Sequence, residues 1–205
     1  MPLATLFSTP IAMYEHPDLG STNIEITEIL VAESETIPSV SVSNVGGWHS
    51  QYELQTRPEA CFLKLNEIIV GRARETAETI AKSTGRRLPQ FTTTTEMWAM
   101  VMRDGDYTIP HSHADAHWAT VYYPDVGDAD EVAHPNSGVI TFIDPRSGFL
   151  PVPGLDLAVA NFAVSAKAGQ LLVFPGWLAH YVHVYRGKRP RVSVACNVTF
   201  HVTKA

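Results

Sequence analysis

The spacing of hydrophobic positions changes near residue 88. Before that point, residues 57–84 (RPEACFLKLNEIIVGRARETAETIAKST) set Leu65, Ile68, Ile69, Arg72, Thr76 and Ile80 on one stripe at helical period. Gly85 and the basic pair Arg86–Arg87 follow as a stop signal. Residues 1–55 read as short strands and loops, and NIEITEILV within them fits either a strand or a short helix. After residue 88 the runs FTTTTEMWAMVM, TVYYP, GVITFID, GQLLVFP, HYVHVY and RVSVACNVTF are short and rich in β-branched and aromatic residues. RDGD, NSG, SG, PVPG, KAG, PG and RGKRP supply turns around them. Short strands at even spacing predict an antiparallel sandwich or barrel. The expected fold class is α+β, mainly β: a helix near residues 57–84 packed on a C-terminal jelly roll. One domain over residues 1–205 is expected, with strands and the helix in 1–87 and the barrel in 88–205.

Composition narrows the function classes. Hydrophobic residues make up 45% of the 205 and charged residues 18%, which suits a globular chain with a sizeable core. The formal net charge of -6 and the lack of a Lys/Arg cluster argue against a nucleic-acid surface. Cys61 and Cys196 stand far apart without CxxC spacing, so neither a disulfide framework nor a thiolate zinc site is expected, and a reducing cytoplasm is the default. The opening MPLATLFSTPIAMYEH does not read as a signal peptide, and no stretch is apolar enough to span a membrane.

The chemistry concentrates in PHSHADAHWATVYYP, residues 110–124. His111, His113 and Asp115 have equal parity, so on an extended segment they project to one face. Two of them can grip one ion, and a third ligand must come from elsewhere. His180, in the apolar run FPGWLAHYVHVY, is the strongest candidate. Arg191 follows after the turn RGKRP, at the head of a strand whose Arg191, Ser193 and Asn197 share a face. A guanidinium inside a small barrel needs an anion, and a bidentate ligand carboxylate satisfies it. Two histidines, a carboxylate and a carboxylate-binding arginine fit the facial triad of a non-haem Fe(II) oxygenase.

These segments together resemble the small bacterial and phage branch of the Fe(II)/2-oxoglutarate-dependent dioxygenases, relatives of the prolyl hydroxylases. LFSTPI at 6–11, SNVGGWHS at 43–50, HSHADAHWATVYY, ITFIDPR at 140–146, and GQLLVFPGWLAH with RVSVACNV carry the likeness. The resemblance implies a double-stranded β-helix, Fe(II), 2-oxoglutarate and O2. The implied reaction is hydroxylation of a C–H bond with release of succinate and CO2. In that branch the recurring motif is His-x-His, which falls on His111 and His113. The wider superfamily prefers His-x-Asp, which falls on His113 and Asp115. His113 and His180 are therefore expected to hold the metal, with Asp115 and His111 as alternatives for the third position. Tyr123 matches a tyrosine that helps bind the distal 2-oxoglutarate carboxylate. Ser193 is expected to assist Arg191, and Asn197 to hydrogen-bond near the iron or its ligands. Trp118, Arg146 and Trp177 are candidates to face substrate.

Plainer readings stand beside these. His117, His183 and His201 suit surface or core roles, and His134 sits in a loop. Arg146 suits an ion pair, Asp115 a turn cap, and the Gly-Gly-Trp segment a packing corner. The acidic stretch 124–138 reads as a solvated loop, long enough to serve as a lid. Two rival functions remain: a 2-oxoglutarate-independent dioxygenase or isomerase on a cupin-like barrel, and a non-catalytic ligand-binding barrel. A small-molecule or peptide substrate is expected, with no nucleic acid and no membrane. A homodimer is plausible as a common default.

Overall fold

A computed structural model describes residues 8–146 and 161–204. The first two residues of LFSTPI and the turn signals SG at 147–148 and PVPG at 151–154 lie outside the described residues. Two helices precede most of the sheet: α1 (Gly20–Thr36) and α2 (Ala60–Ser83). Half of the stripe read from the sequence lies on the buried face of α2, where Leu65, Ile69 and Thr76 are buried together with Phe62 and Ala73, while Ile68, Arg72 and Ile80 are half-buried beside it. Gly85 has a φ of 67°, and the Arg86 N–H returns to the Ala81 carbonyl at 2.8 Å, which ends the helix as the stop signal predicts. NIEITEILV proves helical. Ile24 and Ile26 alternate as in a strand, but the longer spacing Thr22, Ile26, Leu30 is the one buried.

The strands are β1 (Ala12–Glu15), β2 (Asn44–Val45), β3 (Trp48–His49), β4 (Gln90–Met102), β5 (Tyr107–Thr108) and β6 (Trp118–Asp125). They continue as β7 (Ile140–Ile143), β8 (Asn161–Val164), β9 (Gln170–Pro175), β10 (His180–Val182) and β11 (Arg191–Lys204). One sheet runs β1-β9-β6-β11-β4-β3, a second runs β10-β7-β8, and β2 pairs with β5. Every described pairing is antiparallel. The predicted run HYVHVY forms a strand only over its first three residues, and β8 carried no strand signal in the sequence reading.

Alternation along the long sheet builds two cores. Met97, Ala99 and Val101 of β4, Val192, Val194, Cys196 and Val198 of β11, and Tyr122 of β6 pack with Ile26, Leu30, Phe62, Leu65 and Ile69 of the helices. The intervening residues Met100, Met102 and Tyr123 pack with Phe142, Phe174 and Val182 inside the barrel. Each fully buried large apolar side chain contributes about 1.5–3 kcal/mol. The helix layer thus fixes one face of the sheet, and the other face is left to line a cavity.

Candidate functional site

The cavity lies on the barrel side of β4, β6 and β11 and has a volume of about 280 Å³. His111 follows β5 and forms a two-way backbone bridge with His180 at the start of β10, at 3.0 and 2.9 Å. The His113 N–H donates to the Gly176 carbonyl at 2.7 Å, which ties the histidine segment to the end of β9. These pairings bring His111, His113 and His180 together, with one ligand nitrogen from each within 4.8 Å of the others.

All three rings are oriented by their other nitrogen. His111 Nδ1–H donates to the Ile109 carbonyl at 2.8 Å, and His180 Nδ1–H donates to the Leu178 carbonyl at 2.9 Å. His113 Nδ1–H donates to Asn197 Oδ1 at 2.7 Å. Each Nε2 is therefore the unprotonated nitrogen, available to a metal. Burial holds His180 at a pKa of about 3 and His113 at about 4, and lowers His111 as well, so all three are neutral near pH 7.

Asp115 is not in this group. The extended run ends at His113, whose carbonyl accepts the Ala116 N–H at 3.0 Å, and Asp115 sits in the resulting turn at the cavity rim. Asp115 would share the face of His111 and His113 only on a strand extended through residue 115, and the turn removes that condition.

The inner end of the cavity holds a buried cation. Arg191 is 2% exposed, donates to the Met102 sulfur at 3.7 Å, and lies against Tyr123, 5.0 Å from its ring centre. No carboxylate among the described residues pairs with it; burial lowers its pKa, and the phenols of Tyr123 and Tyr185 offset part of that shift. The Tyr123 hydroxyl is buried without a hydrogen-bond partner among the described residues. Burial raises its pKa, and the Arg191 charge pulls the other way. An unpaired buried guanidinium and phenol are costly unless a ligand satisfies them. A carboxylate at this end and a metal at the three imidazoles fit the donors present.

Arg191, Ser193 and Asn197 line the cavity together, as their shared parity predicts, and Tyr123 lines it from β6. The three candidates for substrate contact lie elsewhere among the described residues. Trp118 packs against the helix-side core, Trp177 is 51% exposed on the turn after β9, and Arg146 pairs with Asp144. His117 Nδ1 accepts the Phe200 N–H, His183 meets Thr141, and His201 meets Thr94. Cys61 and Cys196 are buried free thiols. The acidic stretch is tied down by Asp128, which accepts the Arg189 N–H at 2.8 Å, and by Ser137, which accepts the Arg186 N–H at 2.7 Å.

The outer wall of the cavity carries no local signal in the sequence. His49, 2% exposed, stacks on Trp98, and Tyr52 packs against both rings. Trp98 stacks in turn on His113. Glu96 stands at the rim beside them. Glu96 and Trp98 share parity with Met100 and Met102, a signal that becomes legible once β4 is known to pair with the Arg191 strand.

A model of the family described as "Putative 2OG-Fe(II) oxygenase" matches residues 96–197, the span that holds these cavity residues from Glu96 to Asn197. No curated protein matches the chain in sequence. Among solved structures, a Pseudomonas putida prolyl-4-hydroxylase aligns at 15% identity and a TM-score of 0.60, over 95% of this chain and 94% of that one. A Trichoplax adhaerens prolyl hydroxylase, solved with a hypoxia-inducible-factor peptide, aligns at 13% identity and 0.60, over 92% and 83%. HygX from Streptomyces hygroscopicus, solved with nickel and 2-oxoglutarate, aligns at 10% identity and 0.60, over 93% and 83%. Residues 96–197 thus match the Fe(II)/2-oxoglutarate-dependent oxygenases, and the chain carries the double-stranded β-helix fold of these neighbours.

Proposed function

We propose that the protein hydroxylates a C–H bond of a small-molecule or peptide substrate, with His111, His113 and His180 holding the iron. One observation carries this reading: three imidazoles with free Nε2 atoms and a buried, unpaired Arg191 face the same cavity. Bound Fe(II) with 2-oxoglutarate and O2 supplies the oxidising chemistry, and the cosubstrate leaves as succinate and CO2.

The chain's own residues do the rest. The carbonyls of Ile109 and Leu178 and the amide of Asn197 fix the imidazole tautomers, so no proton must leave before metal binds. Arg191 receives the far carboxylate of 2-oxoglutarate, and Tyr123 and Ser193 stand beside it as hydroxyl donors. The apolar walls from Phe174, Ile140 and Val182 exclude water around the reacting groups. His49, Tyr52 and Trp98 form the wall that a substrate meets on entry. The neighbours support both substrate classes, since one was solved with a peptide and HygX also with hygromycin B.

Anaerobic titration of metal-free protein with Fe(II) and then 2-oxoglutarate tests the reading by visible absorption. A charge-transfer band is expected in the wild type and in Asp115→Ala. It is expected to vanish in His111→Ala, His113→Ala and His180→Ala, and to need far more 2-oxoglutarate in Arg191→Gln. A band that disappears with Asp115 and survives loss of His111 reverses the ligand assignment. An iron-loaded, folded wild type without a band removes the 2-oxoglutarate reading.

A further inference from the structure

We infer that Glu96, acting through Asn197, supplies the negative charge that three neutral imidazoles leave out of this site. The inference rests on the metal reading above. Three neutral histidines, a dication, a dianionic cosubstrate and the Arg191 guanidinium leave one uncompensated positive charge. In a facial triad with a carboxylate, that ligand would cancel it. Here the nearest connected anion is one step further out.

Glu96 and Asn197 are direct cross-strand partners in the β4–β11 pairing, so their side chains leave the sheet on the same face. Asn197 Nδ2–H donates to Glu96 Oε2 at 3.1 Å. Asn197 Oδ1 accepts from His113 Nδ1–H at 2.7 Å. The amide thus bridges carboxylate and imidazole with donor and acceptor each used once. A carboxylate polarising this amide makes Oδ1 a better acceptor, and His113 Nε2 becomes a stronger donor to metal. Asp115 shares the rim and the charge but has no such bridge to a ligand histidine. Glu96 is a positioning residue in this scheme and touches neither metal nor substrate.

The probe is Co(II), titrated into metal-free protein and read by its visible absorption. Glu96→Gln keeps an acceptor for Asn197 and removes the charge. Its Co(II) dissociation constant is expected to rise about tenfold at low salt, the low end for loss of a partner beyond the ligands. That gap is expected to narrow as salt approaches roughly 1 M, because an exposed charge is screened. Asp115→Asn is expected to bind as the wild type does. In an Asn197→Ala background, adding Glu96→Gln is expected to cost little more, since the bridge is already cut. Unchanged thermal midpoints of the metal-free variants exclude misfolding.

Wild-type-like binding by Glu96→Gln overturns the inference while leaving the metal reading intact. So does an equal loss in Asp115→Asn, or a full additional loss in the Asn197→Ala background. Failure of the wild type itself to bind Co(II) overturns the metal reading instead, and this inference with it.

Discussion

On the proposed assignment, Arg191 serves a ligand at the expense of the fold. It is buried, it makes no ion pair among the described residues, and its position at the head of β11 points it into the cavity. Replacing it with methionine removes a charge that the empty protein must desolvate. Arg191→Met is therefore expected to leave the cofactor-free melting temperature unchanged or higher, and to abolish the stabilisation that 2-oxoglutarate gives the wild type. Thermal unfolding with and without cosubstrate measures both. The imidazoles make a second prediction. Unfolded histidines protonate near 6.5, whereas His113 and His180 in the folded, metal-free protein protonate only at about 4 and about 3. Between those values the unfolded chain binds more protons, so stability falls as pH drops through that window. Denaturant midpoints across the window are expected to decline on acidification, and less steeply in His113→Gln. A flat profile would contradict the burial of these rings.

Close backbone approach and strand pairing decide the site at the scale of the element. Gly176 follows β9 and its ideal Cβ would stand 2.2 Å from the Ala116 carbonyl oxygen and 2.5 Å from that of His113. Neither neighbour is a flexible side-chain tip, so any side chain here must push the His113 turn away. Gly176→Ala is expected to cost about 1–3 kcal/mol or more and to weaken metal binding, read by denaturant unfolding and Co(II) titration. Gly138 supports Arg191 in the same way, with a φ of 64° and an ideal Cβ 3.0 Å from Arg191 Cδ. Elements remote from the cavity behave differently. Ile26 on α1 is fully buried on the helix side of the sheet. Ile26→Ala is expected to lose about 2–5 kcal/mol of stability while the affinity for 2-oxoglutarate stays as in the wild type. A parallel loss of affinity would mean that the helix layer shapes the cavity as well as the core.

Considered whole, the molecule is a sheet with one face committed to helices and the other to chemistry. On the proposed assignment, metal and 2-oxoglutarate would bind opposite ends of one cavity, so both would act on the folded state alone and raise its stability by mass action. Ni(II) and 2-oxoglutarate together are expected to raise the melting temperature of Asp115→Ala as much as that of the wild type, and to raise that of His180→Ala far less. Differential scanning calorimetry checks this.

Much of this plan was legible in the residues. Short runs rich in β-branched and aromatic residues between turn signals marked β4, β6, β7, β9 and β11, and helical periodicity from Leu65 to Ile80 marked α2, because composition and period are local properties of the chain. The same parity put Arg191, Ser193 and Asn197 on one face, which needs no knowledge of the partner strands. The choice between His111 and Asp115 was not legible. Which of them stands beside His113 and His180 depends on whether the chain stays extended beyond His113, and a turn closed on Ala116 and the bridge from His111 to His180 across the barrel place His111 there. His49, Tyr52, Trp98 and Glu96 were hidden for a related reason, since each becomes a wall residue only through strands that meet it from distant parts of the chain. Residue type and local periodicity specify the kinds of element, the buried stripes and the chemistry available. Which donors share one point in space follows from the folded arrangement, because it depends on long-range register, which no local pattern encodes.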